Sequence, residues 1–246
     1  SIAPLYAKIP FMVWASLHKE WLERNLKYVN KVVSISENVQ KRVKRYFNKD
    51  STVVYPPVKQ YKFRKFGNFW LSVNRIYPHK RVELQIEAFR RMPDEELYIA
   101  GGIMKGDHAA MYAKRILRNL PKNVKYLGVV SEKELEKLYG ECRGFISTAM
   151  DEDFGMNVVE AMSAGKPVVA PDEGGYIESV IDEKTGLLVD VDEKKGINNI
   201  TNAIKEISEN PERFRNECQK QARKFAPEIF VKKMRQEVKN GIQKAA

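Results

Sequence analysis

Residues Thr148 to Gly175 read TAMDEDFGMNVVEAMSAGKPVVAPDEGG, and the order of features within them decides the fold. A β-rich run, GFIST, enters the stretch and ends in a short acidic loop. Gly155 then permits a tight or close-approach backbone, and a helical pattern starts at once in MNVVEAMSAG. Gly165 closes that helix, Pro167 lies just beyond it, and PVVA opens the next apolar run. Strand, loop, helix and strand in this order are the unit of a parallel sheet covered by helices.

The same alternation runs outward from about Phe69. FWLSV, ELYIA, VKYLG, GFIST, PVVA and GLLVD read as strands, nearly continuous in apolar residues, as expected where both faces are buried. VELQIEAFRR, DHAAMYAKRILRNL, SEKELEKLYGEC and MNVVEAMSAG carry helical apolar spacing, the third opening with Ser131 and Glu134 as a capping box. The fold class expected is α/β: a Rossmann-like doubly wound parallel sheet with helices on both faces. Ser1 to about Phe66 differs, with a helix through HKEWLERNLKYV, one strand at KVVSIS, a basic helix in ENVQKRVKRYF, and then TVVYPPV. One strand with flanking helices makes no sheet of its own, so this piece reads as the remnant of a preceding domain. KGINNITNAIKEISEN, PERFRNECQKQARKF and a last helix from about Pro227 follow the core. The expected boundaries are residues 1–62 for the remnant, 63–226 for the binding domain and 227–246 for the terminal helix.

Composition limits the alternatives. With 43% hydrophobic and 30% charged residues and no low-complexity tract or internal repeat, the chain is expected to fold rather than remain disordered. Its longest apolar stretch, near Ile9 to Leu17, is interrupted by Pro10 and Ser16 and falls short of the roughly 20 residues of a spanning helix. SIAPLYAKIPF lacks a basic n-region and a small-residue cleavage site, so it does not read as a secretion signal. Cys142 and Cys218 are far apart, without CxxC or Cys/His spacing, which argues against a disulfide framework and a structural zinc and fits a reducing cytoplasm. The net charge of +11, from 43 Lys and Arg against 32 Asp and Glu, attracts anionic partners without naming one. The sharpest basic run, Lys41, Arg42, Lys44 and Arg45, reads first as a solvated helix face, since Val39, Val43 and Phe47 recur at helical spacing.

The acidic loop carries the chemistry. A helix N-terminus at the carboxyl end of a parallel strand presents unpaired N–H groups that favour phosphate. Glu152 precedes the turn and Glu160 lies inside the helix, about 10 Å apart by helix rise and loop reach. Carboxylates suit vicinal hydroxyls, so this pair fits a ligand with a polyol at each end and phosphate between, a nucleotide-sugar. The competing reading makes Glu152 a solvated loop residue and Glu160 a helix-surface charge. In VNRIYPHKR, Arg75 and Lys80 follow the FWLSV strand and could neutralise a diphosphate in the same crevice, or serve only solubility. His79 beside them reads as a bystander. Gly174 and Gly175 form a weak phosphate-loop signal or a simple turn.

Taken in order, VNRIYPHKR, YLGVVSEKELEKLYGEC, EDFGMNVVEAMSAGKPVVA, EGGYIESV and KTGLLVD resemble the C-terminal domain of glycosyltransferase family 4 enzymes of the GT-B fold, with mannosyltransferases of the O-antigen and archaeal cell-surface type the nearest likeness. The resemblance covers about Val32 to Val238 and is strongest from Phe69 to Asp190. It implies a retaining transferase that moves a hexose, mannose from GDP-mannose first among the options, onto a glycan or lipid-linked acceptor. A GDP- or UDP-sugar is then the donor substrate, with no cofactor and no metal. By resemblance, Glu152 holds donor hexose hydroxyls, and Phe154 and Gly155 bring amides to the same sugar, within a donor segment that includes Asp153, Met156 and Asn157. Glu160 holds the ribose, Arg75 and Lys80 the diphosphate, Gly128, Val129 and Val130 lie along the base, and Gly174 and Gly175 complete the donor set.

Two departures stand out: the family's usual glycines before the diphosphate Arg and after the diphosphate Lys are Asn74 and Arg81 here. The family's N-terminal lobe, with its acceptor site and a His near the reaction centre, is represented only by what resembles its last elements in Ser1 to Asn48. His18 matches none of its motifs. The missing lobe is expected in cis or in trans, and the terminal helix PEIFVKKMRQEV, which resembles the one that braces that lobe, is expected to have nothing to brace. The expected setting is cytoplasmic and peripheral at the inner membrane face, where an anionic surface suits the positive charge. The rival reading is a basic module that binds nucleic acid or an anionic surface; no RRM, KH or zinc-finger signature supports it, and no nucleic-acid partner is expected.

Overall fold

The computed structural model describes residues 5–103, 109–192 and 194–245. Its elements in chain order begin with α1 (Leu5–Leu26), β1 (Val32–Ser34), α2 (Glu37–Phe47) and β2 (Ser51–Val53). The core follows with β3 (Phe69–Val73), α3 (Val82–Arg90), β4 (Glu96–Ala100), α4 (Ala110–Leu117), β5 (Val124–Gly128), α5 (Glu132–Glu141) and β6 (Gly144–Ile146). It continues through α6 (Met156–Ser163), β7 (Val168–Pro171), α7 (Tyr176–Ser179), β8 (Gly186–Val189), α8 (Gly196–Glu209), α9 (Arg215–Arg223) and α10 (Pro227–Ala245). Asp107 and His108, with which the sequence opens the helix that becomes α4, lie outside the described residues.

Six strands pair in the order β5-β4-β3-β6-β7-β8, every pair parallel. The chain builds outward from β3 to β5, then returns to the other side of β3 and builds outward again. That reversal places α3 and α8 together on one face and α5, α6 and α9 on the other, because parallel crossovers keep one hand. Trp70, Leu71, Leu97, Ile99, Phe145, Ile146, Val168 and Val169 are fully buried, as the two-sided apolar pattern requires. Each such side chain contributes about 1.5–3 kcal/mol on removal from water. Gly144 gives Trp70 its room: a Cβ there would stand 2.7 Å from the indole ring. The indole Nε1 donates to Ser208 Oγ at 3.2 Å, so the buried polar atom is satisfied.

The N-terminal segment departs from expectation. TVVYPPV supplies β2, which pairs in parallel with β1 and forms a two-stranded sheet crossed by α2. The run was not legible as a strand because its prolines follow at once and its partner lies across the helix. Ser34 Oγ and Ser51 Oγ share a 2.6 Å hydrogen bond between the strands. The terminal helix therefore has something to brace: Glu237 of α10 pairs with Lys31 beside β1, and Lys233 lies over the Tyr55 ring. Val58 and Tyr61 already belong to the main core, and Val58 N donates to Phe225 O at 2.9 Å. The helix expected from His18 starts earlier and includes Pro10, and its Ile9, Phe11, Met12, Val13, Trp14, Leu17 and Trp21 are all exposed. His18 stacks on Trp14 and meets Trp21 at a tilt on that helix. Cys142 and Cys218 are free and buried. Among the described residues no helix is long and apolar enough to cross a membrane.

Candidate active site at the switch between β3 and β6

The loops after β3 and β6 leave the sheet side by side where the strand order reverses, the position at which open α/β sheets form a ligand crevice. Beyond Val73 the chain turns through a single 3-10 turn, Pro78–Lys80. Thr148, just past β6, is buried, and its hydroxyl faces the carbonyl oxygens of Lys80 and Arg81 at 2.8 and 3.0 Å while accepting from Gln85 Nε2 at 2.9 Å. Met150 N donates to His79 O at 2.7 Å, and Asn157 Nδ2 on the first turn of α6 donates to Val73 O at 2.9 Å. These bonds fix the two loops to each other. Arg81 adopts φ 49°, the left-handed region that favours glycine, which accounts for the residue type the family resemblance expects there. Its guanidinium donates to Thr148 O and Ala149 O at 2.7 and 3.3 Å and pairs with Glu173, so the backbone strain is held by local bonds.

Gly155 begins α6 at φ 81°, and a Cβ on it would stand 2.6 Å from the Tyr176 ring. Tyr176 is fully buried and shares a 2.5 Å hydrogen bond with Ser147 Oγ. Gly174 and Gly175 pack against the acidic loop: Cβ atoms there would lie 2.8 Å from Glu152 N and 2.5 Å from Phe154 Cα, and Gly175 N donates to Glu152 O at 2.7 Å. Phe154 is 1% exposed, its ring clustered with those of Tyr55 and Phe225, which leaves only its backbone for a ligand.

A cavity of about 460 Å³ opens between these loops, lined by Val73, Asn74, Arg75, Tyr77, His79, Lys80, Glu152, Met156, Asn157 and Glu160. Lys80 Nζ and Glu152 Oε2 pair at 2.5 Å, each side chain 20% exposed, so neither is a freely solvated surface charge. Arg75 is exposed on the rim, with no ion-pair or hydrogen-bond partner for its guanidinium among the described residues. Glu160 is half-buried and accepts from the Tyr139 hydroxyl at 2.7 Å. Burial pushes its carboxyl above the usual range, opposed by that hydroxyl and by Lys59 and assisted by Glu132. Burial and Lys80 hold the His79 imidazole below its ordinary pKa, outweighing Glu152. Two cations, two carboxylates and the positive end of α6 thus meet at one cavity, a set of groups able to hold an anionic centre and hydroxyl-bearing groups.

Arg75, Lys80, Glu152, Met156, Asn157 and Glu160 are brought together here. Asp153 instead points to solvent and pairs with Arg42. Gly128 to Val130 stand at the end of β5, two strands from β3 and outside this cavity, with Val129 82% exposed.

Residues 58–225 match the sequence model of the family described as Glycosyl transferases group 1. The chain belongs to the group 1 glycosyl transferases. It is 27% identical to an α-1,3/1,6-mannosyltransferase of Candida glabrata, over 99% of this chain and 64% of that protein. It is 26% identical to an O-antigen chain mannosyltransferase of Salmonella typhimurium, over 79% of this chain and 56% of that protein. Sucrose-phosphate synthase from Thermosynechococcus elongatus superposes with a TM-score of 0.81 at 21% identity, covering 94% of this chain and 63% of that structure, which shows the shared GT-B fold. The chain spans little more than half to about two-thirds of the length of these relatives.

In this group 1 chain the region before the core also touches the site, which the sequence did not show. The Glu178 carboxylate accepts from Glu37 N and Asn38 N at 2.7 and 2.8 Å, capping α2 from across the molecule. Asn38 Nδ2 donates to Asp151 Oδ1 at 2.9 Å and Glu152 O at 3.2 Å. Arg42 is therefore not merely part of a solvated face. Ser36, whose side chain accepts from Val39 N at 3.0 Å, marks the helix start locally, but nothing in the spacing signals its distant partners.

Proposed function

We propose that this chain is the donor-binding lobe of a retaining glycosyltransferase that moves a hexose from a nucleotide-sugar to a glycan or lipid-linked acceptor. The observation that carries the reading is the convergence of Arg75, Lys80, Glu152 and Glu160 on one cavity at the start of α6. Arg75 and Lys80 neutralise the donor diphosphate and the charge that grows on it as the sugar leaves. Lys80 exchanges its Glu152 partner for phosphate oxygens, which frees Glu152 to accept from sugar hydroxyls while the α6 amides face the same group. Glu160 accepts from the ribose hydroxyls. Mannose from GDP-mannose is the favoured donor, on the likeness to family 4 enzymes and to the two mannosyltransferase relatives.

Transfer requires a second lobe, in cis or in trans, that closes over the donor, excludes water and presents the acceptor. The setting we propose is the cytoplasmic face of an anionic membrane. The basic faces of α2 and α10 suit that surface.

A thermal-shift titration of the chain with GDP-mannose, UDP-glucose, GDP and UDP tests the reading. A ligand at about 100 times its dissociation constant stabilises the fold by about 2.7 kcal/mol. A shift restricted to one base and weakened by Glu152→Ala and by Arg75→Ala supports a donor site and names its nucleotide. Binding indifferent to sugar-nucleotide identity and falling steeply with salt would instead support a general polyanion surface.

A further inference from the structure

Tyr139 lies on α5, where the spacing of Leu135, Leu138 and Tyr139 gives it the appearance of an ordinary core residue. It is fully buried, with its ring 4.7 Å from that of Tyr61 and 5.8 Å from that of Phe145. Its hydroxyl nevertheless reaches Glu160 Oε2 at 2.7 Å, on the wall of the cavity. A buried hydroxyl needs a partner, and a phenol donating to a carboxylate makes a strong, directional bond. Glu160 is also anchored from below: Ser163 Oγ donates to Glu160 O at 2.6 Å and accepts from Tyr61 N at 2.7 Å. One carboxylate oxygen is thus committed to Tyr139, while Oε1 has no hydrogen-bond partner among the described residues.

We infer that Tyr139 is a positioning residue for the donor's ribose: its hydroxyl fixes the rotamer of Glu160 so that the carboxylate meets the ribose hydroxyls without first being ordered by the ligand. The inference rests on the assignment of Glu160 to the ribose. It adds that the selectivity Glu160 confers for a ribose over a deoxyribose is sharpened by a residue that touches neither sugar. Holding one carboxylate oxygen removes the rotamer freedom that binding would otherwise have to freeze.

The test is a calorimetric comparison of GDP and UDP with their 2′-deoxy counterparts, and of inorganic pyrophosphate, on the parent chain, Tyr139→Phe and Glu160→Gln. The parent is expected to prefer the ribonucleotide by about tenfold or more, the difference one hydrogen bond to a charged group makes. In Tyr139→Phe, which keeps the ring and its packing, that preference falls severalfold while pyrophosphate affinity stays unchanged. The pH at which ribonucleotide affinity is lost also moves upward, because the donated hydrogen bond favours the ionised carboxylate. The substitution leaves untouched Glu132, Lys59 and Tyr61 on the Tyr139 side of Glu160 and Arg75, His79, Lys80 and Glu152 on the cavity side. A Tyr139→Phe chain that keeps both the full preference and the parent pH midpoint, while Glu160→Gln loses the preference, overturns the role of Tyr139 and leaves Glu160 on the ribose. A parent chain that binds without distinguishing the two sugars, or binds neither, overturns the Glu160 assignment and the positioning role with it.

Discussion

Replacing Gly155 by Ala tests whether the geometry at the start of α6 is as tight as the structure describes. At φ 81° any Cβ is disfavoured, which costs about 1–2 kcal/mol in the left-handed region. The added methyl would also stand 2.6 and 2.9 Å from two carbons of the Tyr176 ring, and that ring is buried and cannot swing away from its bond to Ser147. Overpacking of this kind costs about 1–3 kcal/mol more. The total is roughly 2–5 kcal/mol, and with a urea slope of about 3 kcal/mol/M the midpoint falls by about 0.7–1.7 M.

Gly128→Ala separates the two contributions. Its φ is 69°, but a Cβ there meets nothing within 4 Å, so only the backbone strain applies and the midpoint falls by about half a molar. Gly241→Ala, inside α10 with open space around it, has neither penalty and gains about 0.5–1 kcal/mol of helix stability. Urea unfolding of the three variants, followed by far-UV circular dichroism, gives the ranking directly. A Gly155→Ala midpoint no lower than that of Gly128→Ala would refute the close approach of Tyr176.

Arg75→Ala is expected to weaken nucleoside diphosphate binding by about 10- to 100-fold and to flatten its salt dependence, as calorimetry at two ionic strengths would show; a change below about twofold would remove Arg75 from the site. Because burial raises the Glu160 carboxyl, ribonucleotide affinity should fall on acidification while ordinary carboxylates are still ionised, and Glu160→Gln should lack that limb. Lys166 is buried under Phe63 and Phe66, and desolvation lowers its pKa to about 8 from 10.5. The unfolded chain therefore holds the proton that the folded chain releases between those values, and stability should rise with pH across that window in the parent relative to Lys166→Met; parallel denaturation profiles for the two would count against it.

The six core strands were legible because burial on both faces leaves a nearly unbroken apolar run, a signal that needs no partner to be seen. The meeting of Glu152, Arg75 and Lys80 in one cavity was legible for a related reason: each lies in the loop that leaves such a strand, and the ends of parallel strands share one edge. What escaped the sequence depends on pairings across long separations. β2 is three residues long and takes its meaning from β1 across α2. Tyr139 looks apolar by period, and only the packing of α5 beside α6 turns its hydroxyl into a partner for Glu160. The glycines at 174 and 175 offered only a weak phosphate-loop signal beside a simple turn, and in the structure their missing side chains make room for the backbone of the acidic loop.

The contact between α2 and the acidic loop makes that helix a strut. Glu178 grips its first two amides, while Asn38 reaches the loop on either side of the peptide that joins Asp151 to Glu152. Because α2 also packs on β1 and β2, the loop that carries Glu152 is tied to the small N-terminal sheet as well as to the main one. A substitution that loosens α2 is therefore expected to be felt at Glu152 as well as in local stability.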